Sequence, residues 1–83
     1  MRKRPVARMN RHITTRNWDV VCAMRIFCAV YDLVAPTIVP SFWGYDIYMN
    51  CSDEQADAID EIIYCIKYGY TYYINGHRYN DHN

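Results

Sequence analysis

The chain lacks any uninterrupted apolar stretch as long as a membrane-spanning helix, which needs about 18 residues or more. Its most apolar region, residues 20–45, is interrupted by the charges of Arg25 and Asp32. Each would cost about 2.5–3.5 kcal/mol near the centre of a bilayer. Pro36 and Pro40 divide what remains. We therefore rank membrane association through residues 20–45 third among three hypotheses of function.

The chain also lacks the cysteine spacing of common metal sites. Its four cysteines include no C-x-x-C pair, and no secretory signal precedes them; they are Cys22, Cys28, Cys51 and Cys65. This pattern favours reduced, mostly buried thiols in a reducing cytoplasmic compartment. We expect no metal site and no cofactor.

No catalytic signature is present. His77, Asp81 and His82 are the best candidates, but they lie at the C-terminus, where chains commonly fray. The sequence places no nucleophile beside them. We therefore expect a protein that is not an enzyme.

Acidic residues are absent from the first sixteen positions, which hold six of the nine basic residues. The nine acidic residues all lie in the rest of the chain. This asymmetry predicts a flexible basic arm at 1–16 and a single compact domain at 17–83. The arm could contact the phosphates of a nucleic acid in a salt-dependent way, or fold back onto the acidic domain. Its candidate phosphate contacts are Arg2, Lys3, Arg4, Arg8, Arg11 and Arg16.

Two helices are predicted. Asn17 can cap a nearly all-apolar helix over 17–35, which Pro36 would end. A second helix over 52–68 begins with a capping box of Ser52 and Gln55 and ends at Gly69. Its inner face carries Ile59, Ile62, Ile63 and Ile66, and its outer face carries acidic residues.

The β structure is predicted in two places. Alternation over 45–50 indicates a short strand after an irregular, proline-containing link at 36–44. Asn75 and Gly76 predict a tight hairpin over 70–80. One face of that hairpin should cover the isoleucines of the second helix with Tyr70, Tyr72, Ile74, His77 and Tyr79. Tyr73 and Arg78 should pair on its outer face.

These elements predict an α+β fold: two helices packed on a small antiparallel sheet that joins strand 45–50 to the hairpin at 70–80. The first hypothesis of function is a small binding protein, an inhibitor or adaptor of the kind found in compact viral genomes, whose partner is another protein. Nucleic-acid binding through the basic arm is the second. The candidate partner-binding residues are Asp53, Asp57, Asp60, Glu61, Tyr73 and Arg78. Phe42 and Trp43 either pack on the core or form an exposed contact site.

Overall fold

The computed structural model describes residues 9–80 and contains two helices and two antiparallel sheets. This confirms the predicted α+β class. The cations Arg2, Lys3, Arg4 and Arg8 of the predicted arm lie outside the described residues, as do Asp81 and His82. The elements are β1 (Arg11–Thr15), α1 (Trp18–Val30), β2 (Thr37–Ser41), β3 (Gly44–Met49), α2 (Asp53–Tyr68), β4 (Tyr72–Ile74) and β5 (His77–Tyr79).

The larger sheet has the order β1-β3-β2, with β3 antiparallel to both neighbours. Ile47 at its centre is opposite Ile13 on one side and Ile38 on the other. Ile13 and Ile47 face inward and are buried, whereas His12 and Asp46 face outward. The sheet therefore has one face on the core and one in solvent.

The predicted sheet was wrong in its strand pairing. The strand predicted at 45–50 pairs with β1 and β2, and β4 and β5 form a separate two-stranded sheet. The strand β2 lies within the predicted irregular link at 36–44. Its Pro40 is tolerated because β2 is at the sheet edge, where one side of the strand needs no ladder partner.

The structure also corrects part of the predicted arm, since residues 11–15 form β1. The alternation of Ile13 with its neighbours directs one apolar side chain inward from an otherwise polar strand. Asn10 fixes the start of this strand beside α2. Its side chain accepts a hydrogen bond from the Cys51 amide at 3.1 Å and donates one to the Cys51 carbonyl at 2.9 Å.

Helix α1 is shorter than the predicted 17–35. Asn17 caps it as expected, accepting a bond from the Asp19 amide at 2.8 Å. The helix ends at Val30 because Asp32 takes a positive φ of 58°. The Leu33 amide then bonds back to the Cys28 carbonyl at 2.8 Å, which closes the helix six residues before Pro36.

Helix α2 follows its local signals closely. Ser52 and Gln55 form both bonds of the capping box, and Gly69 closes the helix in the left-handed conformation at φ 80°. Asp53 and Glu54 lie in the first turn, where the helix dipole favours negative charge. Its inner face brings Ile59 and Ile62 into the core.

The C-terminal hairpin has the predicted register. Asn75 and Gly76 both take positive φ, and Tyr72 is opposite Tyr79, with their ring centroids 5.6 Å apart. Ile74 is 1% exposed and joins the core that α1, α2 and the larger sheet share. Tyr70 contradicts the prediction, since it is 56% exposed. The hairpin pairing begins at Tyr72, so Tyr70 lies in the turn after α2 and is not held over the core.

Neither helix within residues 9–80 combines the length and the apolar character needed to cross a membrane.

Candidate functional site

The first candidate surface is the outer side of α2, which carries the acidic residues predicted to bind a partner. Asp53, Asp57, Asp60 and Glu61 are all exposed. They lie in the first two and a half turns of the helix, so their charges are concentrated towards its N-terminal half. We call this set the acidic face.

One member of the acidic face already holds a guanidinium group. Arg11, at the start of β1, donates to the Asp60 carboxylate in an ion pair. Part of the predicted arm therefore folds back onto the domain, one of the two alternatives that the charge asymmetry left open. Within residues 9–80, no such ion pair involves Asp57 or Glu61.

The outer face of the hairpin adjoins the acidic face. Tyr73 and Arg78 are cross-strand partners, and both are exposed. A groove of about 300 Å³ separates β4 from α2, with Glu61 on one wall and Tyr73 on the other. The structure thus brings one residue of each predicted surface, Glu61 and Tyr73, to the same groove.

A cluster of tyrosines continues this surface towards the C-terminal end of α2. The Tyr64 ring lies 4.7 Å from that of Tyr68 and 6.1 Å from that of Tyr70, centroid to centroid. Lys67 places its Nζ 5.6 Å from the Tyr68 ring centroid. The sequence pattern does not predict this cluster, because the hairpin register places Tyr70 on the core side. The helical spacing of Tyr64 and Tyr68 was the available signal.

The second candidate surface is the turn between β2 and β3, which presents two large apolar rings. Phe42 is 92% exposed and Trp43 is 64% exposed, with ring centroids 5.2 Å apart in an edge-to-face arrangement. Of the two alternatives for these residues, the structure supports the exposed one. We call this turn the aromatic tip.

The backbone of the aromatic tip is held in place from two sides. Ser41 accepts a hydrogen bond from the Trp43 amide at 3.3 Å, and Arg16 Nε donates to the Trp43 carbonyl at 3.1 Å. Gly44 follows at φ 144°, with its Cα facing the Thr15 carbonyl so closely that a Cβ would lie 2.5 Å from that oxygen. The rings are therefore presented on a braced turn.

The predicted nucleic-acid contacts that the structure describes do not form one patch. Arg11 lies at the Met49 end of β1 and is paired with Asp60, whereas Arg16 follows the opposite end of the strand. Arg16 instead shares a groove of about 330 Å³ with Lys67, between β1 and α2. Thr14, Thr15 and Asn17 supply polar groups to this groove, and Val20 and Ile63 supply apolar ones. We call it the Arg16–Lys67 groove.

The outer face of the larger sheet holds a polar cluster that the sequence does not predict. The His12 ring stacks on Tyr48 at 4.5 Å, and its Nε2 lies 3.0 Å from Asp46 Oδ1. Thr14 donates to the same carboxylate oxygen at 3.2 Å. These contacts join β1 to β3 and account for the cluster as cross-strand packing.

The four cysteines are free thiols; Cys28 and Cys65 are buried, and Cys22 and Cys51 are half-buried. Burial raises the pKa of the Cys28, Cys51 and Cys65 thiols above the usual 9.0, which makes these three poor nucleophiles at neutral pH. Among the described residues, no three histidine, cysteine or acidic side chains are grouped to hold a metal ion.

Comparisons with protein-family models, with curated proteins and with solved structures gave no match to this chain. Its function is therefore argued from its own surfaces.

Proposed function

We propose that this protein is a non-enzymatic binding protein, an inhibitor or adaptor, that holds a basic segment of a partner protein on the acidic face and the adjoining tyrosines. The observation that carries the proposal is the Arg11–Asp60 ion pair. An arginine from outside α2 already occupies one carboxylate of this surface. A partner's arginine or lysine would meet the same chemistry at Asp57 and Glu61.

The groove between α2 and β4 supports the same kind of partner. Glu61 and Tyr73 both line this groove of about 300 Å³. A carboxylate and a ring face both attract a cation, the ring through its quadrupole. Arg78 is the cross-strand partner of Tyr73, so one positive charge lies beside this ring.

The expected affinity is modest, because these groups are exposed. An exposed ion pair contributes about 0.2–1 kcal/mol, and an exposed cation–π contact about 0.5–1 kcal/mol. Binding should therefore need several contacts at once and should weaken as salt is added. A partner held by burial of apolar surface alone would not show that salt dependence.

The test compares two double variants of equal net charge. Asp57→Asn with Glu61→Gln removes two carboxylates from the acidic face and keeps side-chain size. Thr37→Lys with Val39→Lys makes the same change in charge on exposed positions of β2. Capture from lysate, with proteins identified by mass spectrometry, should lose its main partner in the first variant and keep it in the second.

A synthetic lysine- and arginine-rich peptide provides a direct probe of the same surface. Fluorescence anisotropy should show it binding the wild-type chain and the β2 variant, with weaker binding to the acidic-face variant. Equal binding to both double variants would remove the acidic face from the proposal.

A further inference from the structure

The end of the molecule that carries the aromatic tip has a different chemistry from the acidic face. Three rings lie in sequence from the tip inward: Phe42, Trp43 and the half-buried Tyr45, on which Trp18 packs with centroids 5.2 Å apart. Exposure therefore decreases from Phe42 to Tyr45, and the ring that carries a hydroxyl group, Tyr45, lies furthest from the point of the tip.

Cations accompany these rings. The Arg16 side chain reaches the tip itself through its bond to the Trp43 carbonyl, and it shares the Arg16–Lys67 groove with a second cation. A shallow depression beside the tip is lined by Arg16 and residues 40–45. Among the described residues, no carboxylate lines this depression or the Arg16–Lys67 groove. The nearest acid along the strand, Asp46, is bound by His12 and Thr14 on the outer face of the sheet.

We propose that the aromatic tip inserts into the interface of a lipid bilayer containing anionic phospholipids, while Arg16 and Lys67 bind their phosphate groups. Tryptophan and phenylalanine rings enter the boundary between headgroups and acyl chains, where tryptophan is enriched in membrane proteins. Arginine and lysine place their charges at headgroup level on long apolar stems. At this end of the molecule the apolar rings lie outermost and the cations lie behind them. The rings would therefore reach the acyl chains while the cations stay at the level of the phosphates. The contact is peripheral and involves no spanning helix.

An apolar cleft of a protein is the alternative occupant of the tip. Arg16 and Lys67 favour the bilayer as the occupant. An apolar cleft could receive the two rings, but it would give these two cations no anionic group to bind. The proposed contact uses no residue of the acidic face, although Lys67 lies against Tyr68 of the tyrosine cluster. Different variants test the two proposals, so either can fail without the other.

The chain contains two tryptophans, so Trp18→Phe leaves Trp43 as a single fluorescent reporter at the tip. The full-length variant is titrated with vesicles of neutral phosphatidylcholine and with vesicles that also contain phosphatidylglycerol. Insertion predicts a blue shift of Trp43 emission and its quenching by brominated acyl chains. The converse variant, Trp43→Phe, reports from Trp18 and should show a smaller shift.

Measurements of vesicle partitioning distinguish the contribution of the tip from that of the cations. Phe42→Ala should lower partitioning into both kinds of vesicle by about tenfold or more, since a fully buried phenylalanine contributes that much. Lys67→Gln, which leaves the Arg16 bond to the tip in place, should lower partitioning into the anionic vesicles by about fivefold and barely affect neutral ones. Val34→Ala removes an exposed apolar group from the loop after α1 and serves as the control.

Two results would overturn the proposal. One is vesicle binding without a change in Trp43 emission, which would show that cations elsewhere, such as those of residues 1–8, hold the bilayer without the tip. The other is the absence of vesicle binding at low salt, which would exclude a bilayer as the occupant of the tip.

Discussion

The close approach of Gly44 to β1 makes a strong prediction about stability. In Gly44→Ala, the new Cβ would lie 2.5 Å from the Thr15 carbonyl oxygen and 3.0 Å from the Arg16 Cα. Both atoms are backbone, so relief requires β1 to move away from β3. Gly69 and Gly76 also take positive φ, but a Cβ there would meet no atom within 4 Å. These two glycines provide controls in which alanine meets a positive φ but no backbone clash.

The magnitudes follow from these contacts. A positive φ costs an L-residue about 1–2 kcal/mol, and the lower entropy of the unfolded alanine chain returns about 0.4–1 kcal/mol. Gly69→Ala and Gly76→Ala should therefore lose about 1 kcal/mol each. Gly44→Ala adds the cost of overpacking, about 1–3 kcal/mol, for a total of about 3 kcal/mol or more. A domain of this length has a free energy of unfolding of about 4–12 kcal/mol in all.

Thermal unfolding followed by circular dichroism measures the difference. For a domain of this size, 1 kcal/mol corresponds to about 6 °C in Tm. We expect a decrease of about 6 °C for each control variant and of about 18 °C or more for Gly44→Ala. If Gly44→Ala lowered Tm no more than Gly76→Ala, β1 would be able to move away from β3 at little cost in free energy. That result would contradict the expected overpacking.

Three further predictions concern the core, the helix cap and alkaline pH. Ile74→Ala should lower the free energy of unfolding in urea by about 2–5 kcal/mol, because Ile74 is buried where the hairpin meets α1 and α2; a loss below 1 kcal/mol would contradict that packing. Ser52→Ala should cost about 1 kcal/mol in the same assay, whereas Ser52→Asn, which keeps an oxygen that can accept the Gln55 amide bond, should cost little. Burial, and to a smaller degree Asp19, raises the pKa of Tyr72 above its usual 10.0, so the unfolded chain releases this proton first and stability should fall as pH rises above about 10. Tyr72→Phe should reduce that fall in urea titrations between pH 9 and 11, and an unchanged profile would exclude Tyr72 as a cause.

The elements predicted correctly from the sequence are those specified by neighbouring residues. The Ser52–Gln55 box and Gly69 fix both ends of α2 within the helix itself, and Asn75 and Gly76 fix the hairpin register through their own φ values. These signals act over four residues or fewer. The interactions that determine α2 and the hairpin are therefore visible in short stretches of the sequence.

The strand pairing could not be predicted in the same way. The strand β1 has one buried apolar residue, Ile13, and β2 contains Pro40, so neither has a clear alternating pattern. The pairing of β1 with β3 spans about thirty residues, whereas β2 pairs with β3 across only Phe42 and Trp43, which are not typical turn-forming residues. Local patterns do not contain that information.

The candidate surfaces show the same difference between what local sequence patterns predict and what only the tertiary structure gives. The acidic face followed from helical periodicity, and the exposure of Tyr73 and Arg78 followed from the hairpin register. The tertiary arrangement alone gives the groove between Glu61 and Tyr73 and the shared groove of Arg16 and Lys67. Each of these grooves joins residues from separate elements.

Pro40 has a consequence for self-association. It lies in an edge strand opposite Tyr45 and has no amide hydrogen to offer an incoming chain. A second copy that tried to extend the sheet along β2 would find the ladder broken at this residue, as in many proteins that resist fibre formation. The β2 edge beside the aromatic tip is therefore protected against backbone pairing, and the two exposed rings can stay accessible without making this edge prone to polymerise.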